Sequence, residues 1–527
     1  MHMRPGWLIT LSINPQRNRL SIIVSLFIII VTTTSGIAVY KYRTTLDPAW
    51  QCQHAEETTN PVQAENLCPG TNSWRPDRPL GPEHAIEGFT APVSVRAGEN
   101  VKIYISTTAA TYTFQVYRMG WYRGLGGHLV YSSYTVRGTR QPPPTIDAAT
   151  HMVSCSNWHY PAILAIPTTW VSGVYVVKLL GGGYMRYTSF VVRNDTRYSA
   201  ILFQTSVLTY QAYNAWGGYS LYRGFNAHGL VTAEDRAYVV NFDRPYDRGD
   251  GLGDFPLLNE YNLLRWLERA GYDISYTTDV DTDMYGALLL RHRFFIAAGH
   301  DEYWSTAMRD HVTVARDRGV SLAFFGGNDI YWHVRLQSSP LGPDREIVCY
   351  KPGYYPGGAV DPMSAVDPHA ATVLWRDKPL NEPENALLGE MYGGAVLLDV
   401  PLVLDIGASS FLSDTSLHVG SAIPGLIGSE YDRVYHNTLT PSSLAVLASS
   451  PVQCIPTSLC PASGTDTANA TLYGALSGAR VFDAGTFYWA WGLDDDSFDP
   501  KTHIPPRPYS TPAFQQFTTN LLAYLLR

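Results

Sequence analysis

The chain has 527 residues, 45% of them hydrophobic, enough for two or three domains that each bury a core. A formal net charge of −8 offers no basic footprint, which excludes a nucleic-acid partner. Charged residues reach only 16% against 13% aromatics, a surface chemistry of Tyr, Ser, Thr and Asn that suits an extracytoplasmic protein.

Residues 20–40 (LSIIVSLFIIIVTTTSGIAVY) carry no charge and are long enough to cross a bilayer as one helix. Arg4, Arg17 and Arg19 precede the run and Lys41 and Arg43 follow it, a slight bias toward a cytoplasmic N-terminus. The expectation is a single-pass signal anchor, with 1–19 cytoplasmic, a transmembrane helix over 20–40 and the bulk of the chain outside. A cleaved signal peptide is the alternative. Residues 41–85 are polar and rich in Pro, Asn and Glu, and read as a stalk or wrapping segment. Among six cysteines, Cys52 with Cys68 and Cys454 with Cys460 are close enough to pair locally, leaving Cys155 and Cys349 paired or free. No spacing resembles a zinc site, which favours disulfides.

From residue 86 the pattern turns to short alternating runs. Val101, Ile103 and Ile105 alternate within NVKIYIST, and TYTFQVY (111–117), GVYVVKL (173–179) and YTSFVV (187–192) behave alike. Such runs, bounded by Gly, Pro and Thr, predict an Ig-like β-sandwich over 86–194. Past 194 the period changes. Apolar strands at 200–204, 272–276, 294–298 and 320–325 alternate with helical patterns at 257–270 and 305–318, and 511–527 reads as a closing amphipathic helix. The expected fold class is α/β: a mostly parallel three-layer sheet domain over 195–527, following the sandwich. The Gly/Pro-rich stretch 337–370 reads as a surface excursion or lid.

In such sheets, sites form beyond the carboxyl ends of strands. Three clusters follow apolar strands: TYQAYNAWGG (209–218), GHDEYW (299–304) and GGNDIYW (326–332). Ser305 is placed to cap the helix after GHDEYW, and Asp301 fits a charge at that helix entry. Glu302, beside a buried run, needs solvent or a partner. His300 suits a general base or a structural role, and Asn328 a substrate contact or a left-handed turn. Phenolate and carboxylate oxygens are hard ligands for a high-valent cation. The acids at 494–496 read as a solvated loop or a Ca²⁺ site, and Trp489 and Trp491 as core or a stacking platform. No Gly-x-Ser-x-Gly elbow is present, and no cysteine follows the 294–298 strand, so thiol chemistry at that turn is not expected.

YRMGWYRGLGG (117–127), TYQAYNAWGGYSLY (209–222), LLRWLERAGYDISYTTDVD (263–281), GHDEYW (299–304), FFGGND (324–329), GSEYDR (428–433) and FDAGTFYWAWGLDD (482–495) occur in this order. Together they resemble the C-terminal region of the N,N-dimethylformamidase large (β) subunit, over about residues 65–527. The resemblance implies a β-sandwich followed by a domain shaped like class I glutamine amidotransferases. It also implies a mononuclear iron (Fe³⁺) held by two tyrosinates and a glutamate, with a histidine, an asparagine and a second glutamate nearby. Carried over, Glu302 is the carboxylate ligand, Tyr213 one tyrosine, and Tyr175 or Tyr222 the other. His300, Asn328 and Glu430 take the remaining places as catalytic residues. An ion pair with Arg433 or another basic group is the rival reading of Glu430.

The family's enzyme also carries a further N-terminal domain and a small partner subunit, where the residues before 65 here read as an anchor and stalk. The expected activity is hydrolysis of an amide C–N bond in a small substrate, with oligomerisation left open. The rival readings are a non-catalytic surface protein that binds glycan or a partner chain, and a carbohydrate- or cell-wall-active enzyme.

Overall fold

In this computed structural model the described residues are 30–33, 36–39, 48–226, 228–247, 260–354, 359–496 and 509–527. The chain divides into two units, Met1–Asp47 and Pro48–Arg527. In the first, Ile30–Thr33 pairs antiparallel with Gly36–Val39. This overturns the transmembrane helix expected over 20–40, of which residues 20–29, 34, 35 and 40 lie outside the described residues. Ile30–Thr33 is wholly Ile, Val and Thr, and Ile37 and Val39 oppose it, residue types that favour extended backbone. Among the described residues no helix is long and apolar enough to cross a membrane.

The fold class also needs correction. Strand outweighs helix, 35% to 21%, and is spread over many small sheets rather than gathered into one parallel three-layer α/β domain. The reason lies between 326 and 480, where no helical period is sustained. That stretch forms antiparallel pairs instead: Trp332–Ser339 with Gly342–Val348, Met391–Ala395 with Glu430–Arg433, and Val400–Val403 with Ala422–Ile427. The expected lid at 337–370 thus begins inside a hairpin. The largest sheet is mixed, in the order Ile274–Thr278, Ile201–Thr205, Phe294–Gly299, Ser321–Gly326, Arg480–Asp483, Thr465–Gly474, Ala445–Gln453. Its first five strands pair parallel, and Thr465–Gly474 alone runs opposite, pairing antiparallel with its neighbours on both sides.

Two further sheets enclose a separate core. Ala162–Ala165, Asn100–Thr107 and Ile86–Ala91 form one, and Ser94–Arg96, Tyr184–Arg193, Gly173–Gly181, Thr111–Met119 and Gly127–Ser132 the other. Val101, Ile103, Phe114, Val116, Tyr175, Val177, Phe190 and Val192 pack together inside. The alternate residues of these strands are buried too: Tyr117, Met119, Val174, Val176 and Val191 share a core with Phe203, Tyr261, Ile274 and Tyr276. A strand buried on both faces ties the two halves into one hydrophobic body. Buried charge reinforces the tie. Arg118 Nη2 donates to Glu268 Oε1 at 2.8 Å, with both side chains fully enclosed.

The segment from residue 48 is packed onto this body through Val62, Ala64 and Trp74 and is closed by the Cys52–Cys68 disulfide. Cys454 pairs with Cys460, while Cys155 and Cys349 are free thiols, both buried.

Candidate active site

Parallel strands deliver the site residues because their carboxyl ends open on one edge. Phe294–Gly299 leads into His300, Asp301 and Glu302. The next strand, Ser321–Gly326, leads into Asn328, whose φ of 56° is a left-handed conformation that asparagine tolerates. A Cβ on Gly326 would stand 2.6 Å from Asp329 Oδ2 and 2.8 Å from the Gly299 carbonyl, so only glycine lets the two turns approach. Ile201–Thr205 leads into the helix Val207–Tyr213, which ends on Tyr213. Glu430 opens the strand Glu430–Arg433.

These residues converge on Glu302. The Tyr213 hydroxyl donates to Glu302 Oε2 at 3.0 Å, and the Tyr222 hydroxyl lies 2.8 Å from Oε1 and 2.7 Å from Oε2. His300 Nε2 stands 3.2 Å from Glu302 Oε2 and 3.9 Å from Glu430 Oε2. His300 Nδ1 faces the Gly327 carbonyl at 3.0 Å, which fixes the ring. Asn328 Nδ2 donates to Glu430 Oε2 at 2.9 Å, while Asn328 Oδ1, although buried, has no partner.

Tyr175 does not join them. It lies in the sandwich core, stacked between Trp170 and Phe190, and its hydroxyl donates to the Val171 carbonyl at 2.7 Å. Of the two tyrosines considered for the second phenolate, Tyr222 is the one that meets Glu302. For the rival role of Glu430, Arg433 instead reaches Asp466 at 3.4 Å, and the basic group facing Glu430 is His300 at 3.9 Å.

Sequence reasoning missed a second layer. The Tyr303 hydroxyl donates to Tyr222 at 2.5 Å and accepts from Lys351 Nζ at 2.8 Å. Lys351 is fully buried, its ammonium 3.5 Å from the Tyr222 ring centre and within 5.1 Å of the Tyr303 and Trp332 rings. Tyr392 reaches Glu430 Oε1 at 3.4 Å, and Phe487 packs on the His300 ring. A lysine set among aromatics in YKPGYY (350–355), in a chain where lysine is scarce, was the available signal.

Electrostatics follow from burial. Burial would raise Glu302, but the His300 hydrogen bond and charge, with Lys351 and Tyr222, hold it below the ordinary range. Burial and then the Glu302 charge push Tyr213 and Tyr222 well above theirs, so both phenols keep their protons unless a cation replaces them. His300 loses solvation, yet its bond to Glu302 and the two glutamate charges carry it up to about 9. Lys351 falls to about 8, burial outweighing the pull of Glu302. Glu430 is raised by burial, against the opposing charge of His300.

Around the strand ends lies a set of buried carboxyls: Asp279, Asp301, Asp329, Asp432, Asp483 and Glu390, none more than 2% exposed. Burial pushes Asp301 and Asp432 up to about 7 and the others well above the ordinary carboxylate range. Elsewhere, Asp494 and Asp496 pair with Arg265, and Asp495 accepts from the Ser510 N–H at 2.9 Å. Trp489 is fully buried against Phe482 and Phe514, a core residue rather than a platform.

No curated protein matches the chain. Among solved structures, the sulfur carrier protein SoxY from Chlorobium limicola f thiosulfatophilum is 14% identical at a TM-score of 0.13, covering 22% of this chain and 84% of that one. That likeness carries no argument. A profile of the family described as N,N-dimethylformamidase beta subunit-like, C-terminal, matches residues 113–503, a span that contains Tyr213, Tyr222, His300, Glu302, Asn328 and Glu430. The chain belongs to the N,N-dimethylformamidase beta subunit-like family.

Proposed function

We propose that the protein hydrolyses the C–N bond of a small linear amide at a ferric iron held by Tyr213, Tyr222 and Glu302. One observation carries the reading: two phenols from separate segments meet the same buried carboxylate at 3.0 Å or less. Three hard oxygen donors fit a hard, high-valent cation, and binding one would relieve the phenols of protons that burial otherwise makes them keep. When bound, the iron supplies Lewis-acid polarisation of the amide carbonyl.

The chain's own residues handle the protons. Glu430 takes the proton of the attacking water and delivers it to the leaving amine nitrogen, so amide and water become acid and amine. Asn328 holds Glu430 in place through one N–H and offers the rest of its amide to the substrate. His300, anchored on Gly327, keeps Glu302 charged and stands between the two glutamates. The aromatic wall of Tyr303, Tyr392 and Phe487 limits water around these charges.

The test is iron content together with dimethylamine release from N,N-dimethylformamide, for the wild type beside Glu302→Gln. The expected result is about one iron per chain and turnover in the wild type, with both lost in the variant. Undiminished turnover by iron-free protein would refute the metal role. Iron-replete protein that releases amine from no linear amide would refute the substrate class.

A further inference from the structure

A second group of ligand atoms lies apart from the tyrosines. Glu65, Cys68 and His128 each bring one donor atom within 4.8 Å of the others. His128 Nδ1 is 2.7 Å from Glu65 Oε1, and Cys68 Sγ is 3.6 Å from Glu65 Oε2. Glu65 ends the helix Pro61–Glu65, Cys68 follows in the next turn, and His128 comes from the strand Gly127–Ser132. Cys68 is bonded to Cys52, so a fourth donor stands one covalent bond away. Glu65 and Cys68 are buried and His128 is half-buried, which leaves the cluster enclosed but reachable.

The carboxylate is also supported from behind. The outer phenol here is Tyr122, whose hydroxyl donates to Glu65 Oε1 at 2.9 Å and itself accepts from Arg118 at 3.0 Å. Ligating carboxylates are commonly held by such an outer partner. Two sulfurs, an imidazole and a carboxylate make a donor set that suits Zn²⁺ better than a hard cation.

We propose that these four side chains are a staple with two chemical forms: the Cys52–Cys68 disulfide when oxidised, and a Zn²⁺ site of Cys52, Cys68, His128 and Glu65 when reduced. A dithiol reductant supplies the two electrons. The S–S bond breaks into two thiols as the reductant closes into its own disulfide, and Zn²⁺ then displaces the two thiol protons to solvent. In a tetrahedral site with Zn–S near 2.3 Å, the two sulfurs stand roughly 3.8 Å apart, within reach of side chains. The Cα atoms that carry them are 4.8 Å apart. The disulfide closes the segment from Pro48 on itself, and the Zn²⁺ form would do the same while also tying it to the strand Gly127–Ser132 through His128, so a cross-link persists in an oxidising or a reducing compartment.

Co²⁺ serves as the probe, because thiolate-to-cobalt absorption in the near ultraviolet cannot arise from the oxygen donors of Tyr213, Tyr222 and Glu302. The full chain, reduced with a non-chelating phosphine, is expected to bind one equivalent with that absorption, and one Zn²⁺ is expected to displace it. The oxidised chain is expected to show none. His128→Gln leaves the disulfide intact, so the variant can be purified folded. After reduction it should bind more weakly by over about tenfold, since even an outer-shell partner costs roughly ten- to a hundredfold. Cys68→Ser should abolish the band. Three results would overturn the proposal: no thiolate band in reduced protein, a band that persists in Cys68→Ser and so comes from Cys155, Cys349 or the reduced Cys454 and Cys460, or unchanged affinity in His128→Gln.

Discussion

The Tyr222 hydroxyl sits between the two carboxylate oxygens of Glu302, 2.8 Å from one and 2.7 Å from the other, while Tyr213 approaches the same carboxylate from a helix end at 3.0 Å. Tyr175 spends its hydroxyl on the Val171 carbonyl inside the sandwich. The two substitutions should therefore separate cleanly. Tyr222→Phe is expected to lose iron and at least about a hundredfold in turnover, since Lewis-acid stabilisation is worth several kcal/mol. Tyr175→Phe should keep both and lose about 1 kcal/mol of stability with its hydrogen bond. Iron analysis and a denaturant titration on each variant check the pair.

Glu430 answers a different question. It is tied to Asn328 at 2.9 Å and lies 3.9 Å from His300, but makes no hydrogen bond to the Glu302 carboxylate. Glu430→Gln preserves shape and the Asn328 contact while removing the acid/base. Iron content should be unchanged and kcat should fall by roughly 10²–10⁴-fold. A variant that keeps most of its kcat would remove Glu430 from proton transfer.

The turns that hold His300, Glu302 and Asn328 were legible because an apolar strand followed by Gly and polar residues has one physical reading: the carboxyl edge of a sheet. Tyr213 was legible from the same edge. Tyr222 was named only as an alternative to Tyr175, because it lies in irregular chain with no period to say where its ring points. Tyr175 misled because inward positions of an alternating strand are core, and the parity of GVYVVKL places it there with Val177 and Leu179. The apolar run at 20–40 misled for a related reason. Hydrophobic length alone does not tell helix from strand, and the β-branched residues at 30–33 carried the missing information. The fold class failed where paired strands over 326–480, each only a few residues long, left no period strong enough to read.

A pH effect on stability is expected from Glu260, a buried carboxyl whose Oε1 accepts the Ser206 N–H at 2.8 Å and whose Oε2 has no partner. Burial lifts it from 4.5 to about 8. Between those values the folded chain holds a proton that the unfolded chain has released. Stability therefore falls as pH rises through that window, by up to about 1.4 kcal/mol per unit, and levels off above it. Glu260→Gln should flatten this slope. Thermal melts at pH 5 and pH 8.5 are expected to coincide with wild type at the lower pH and to favour the variant at the higher. A variant that melts below wild type at pH 8.5 would contradict the reading.

The Arg118–Glu268 pair makes the two halves of the body depend on each other. Arg118 comes from a sandwich strand, Glu268 from the helix Tyr261–Arg269. Glu268 also accepts from Tyr276 and from Asn66, each at 2.7 Å, so it gathers three segments at one buried carboxylate. Removing it leaves a guanidinium enclosed without its counter-charge, whereas removing both charges does not. Glu268→Ala is expected to cost about 3–5 kcal/mol, and the double variant Arg118→Met with Glu268→Met to recover much of that loss. Because neither residue touches Tyr213, Tyr222 or Glu302, iron content in the folded fraction should stay at the wild-type level. Denaturant unfolding read by tryptophan fluorescence, with iron measured on the same samples, distinguishes this from a role in the site. If the single and double variants were equally destabilised, packing rather than charge pairing would be what joins the sandwich to the sheet.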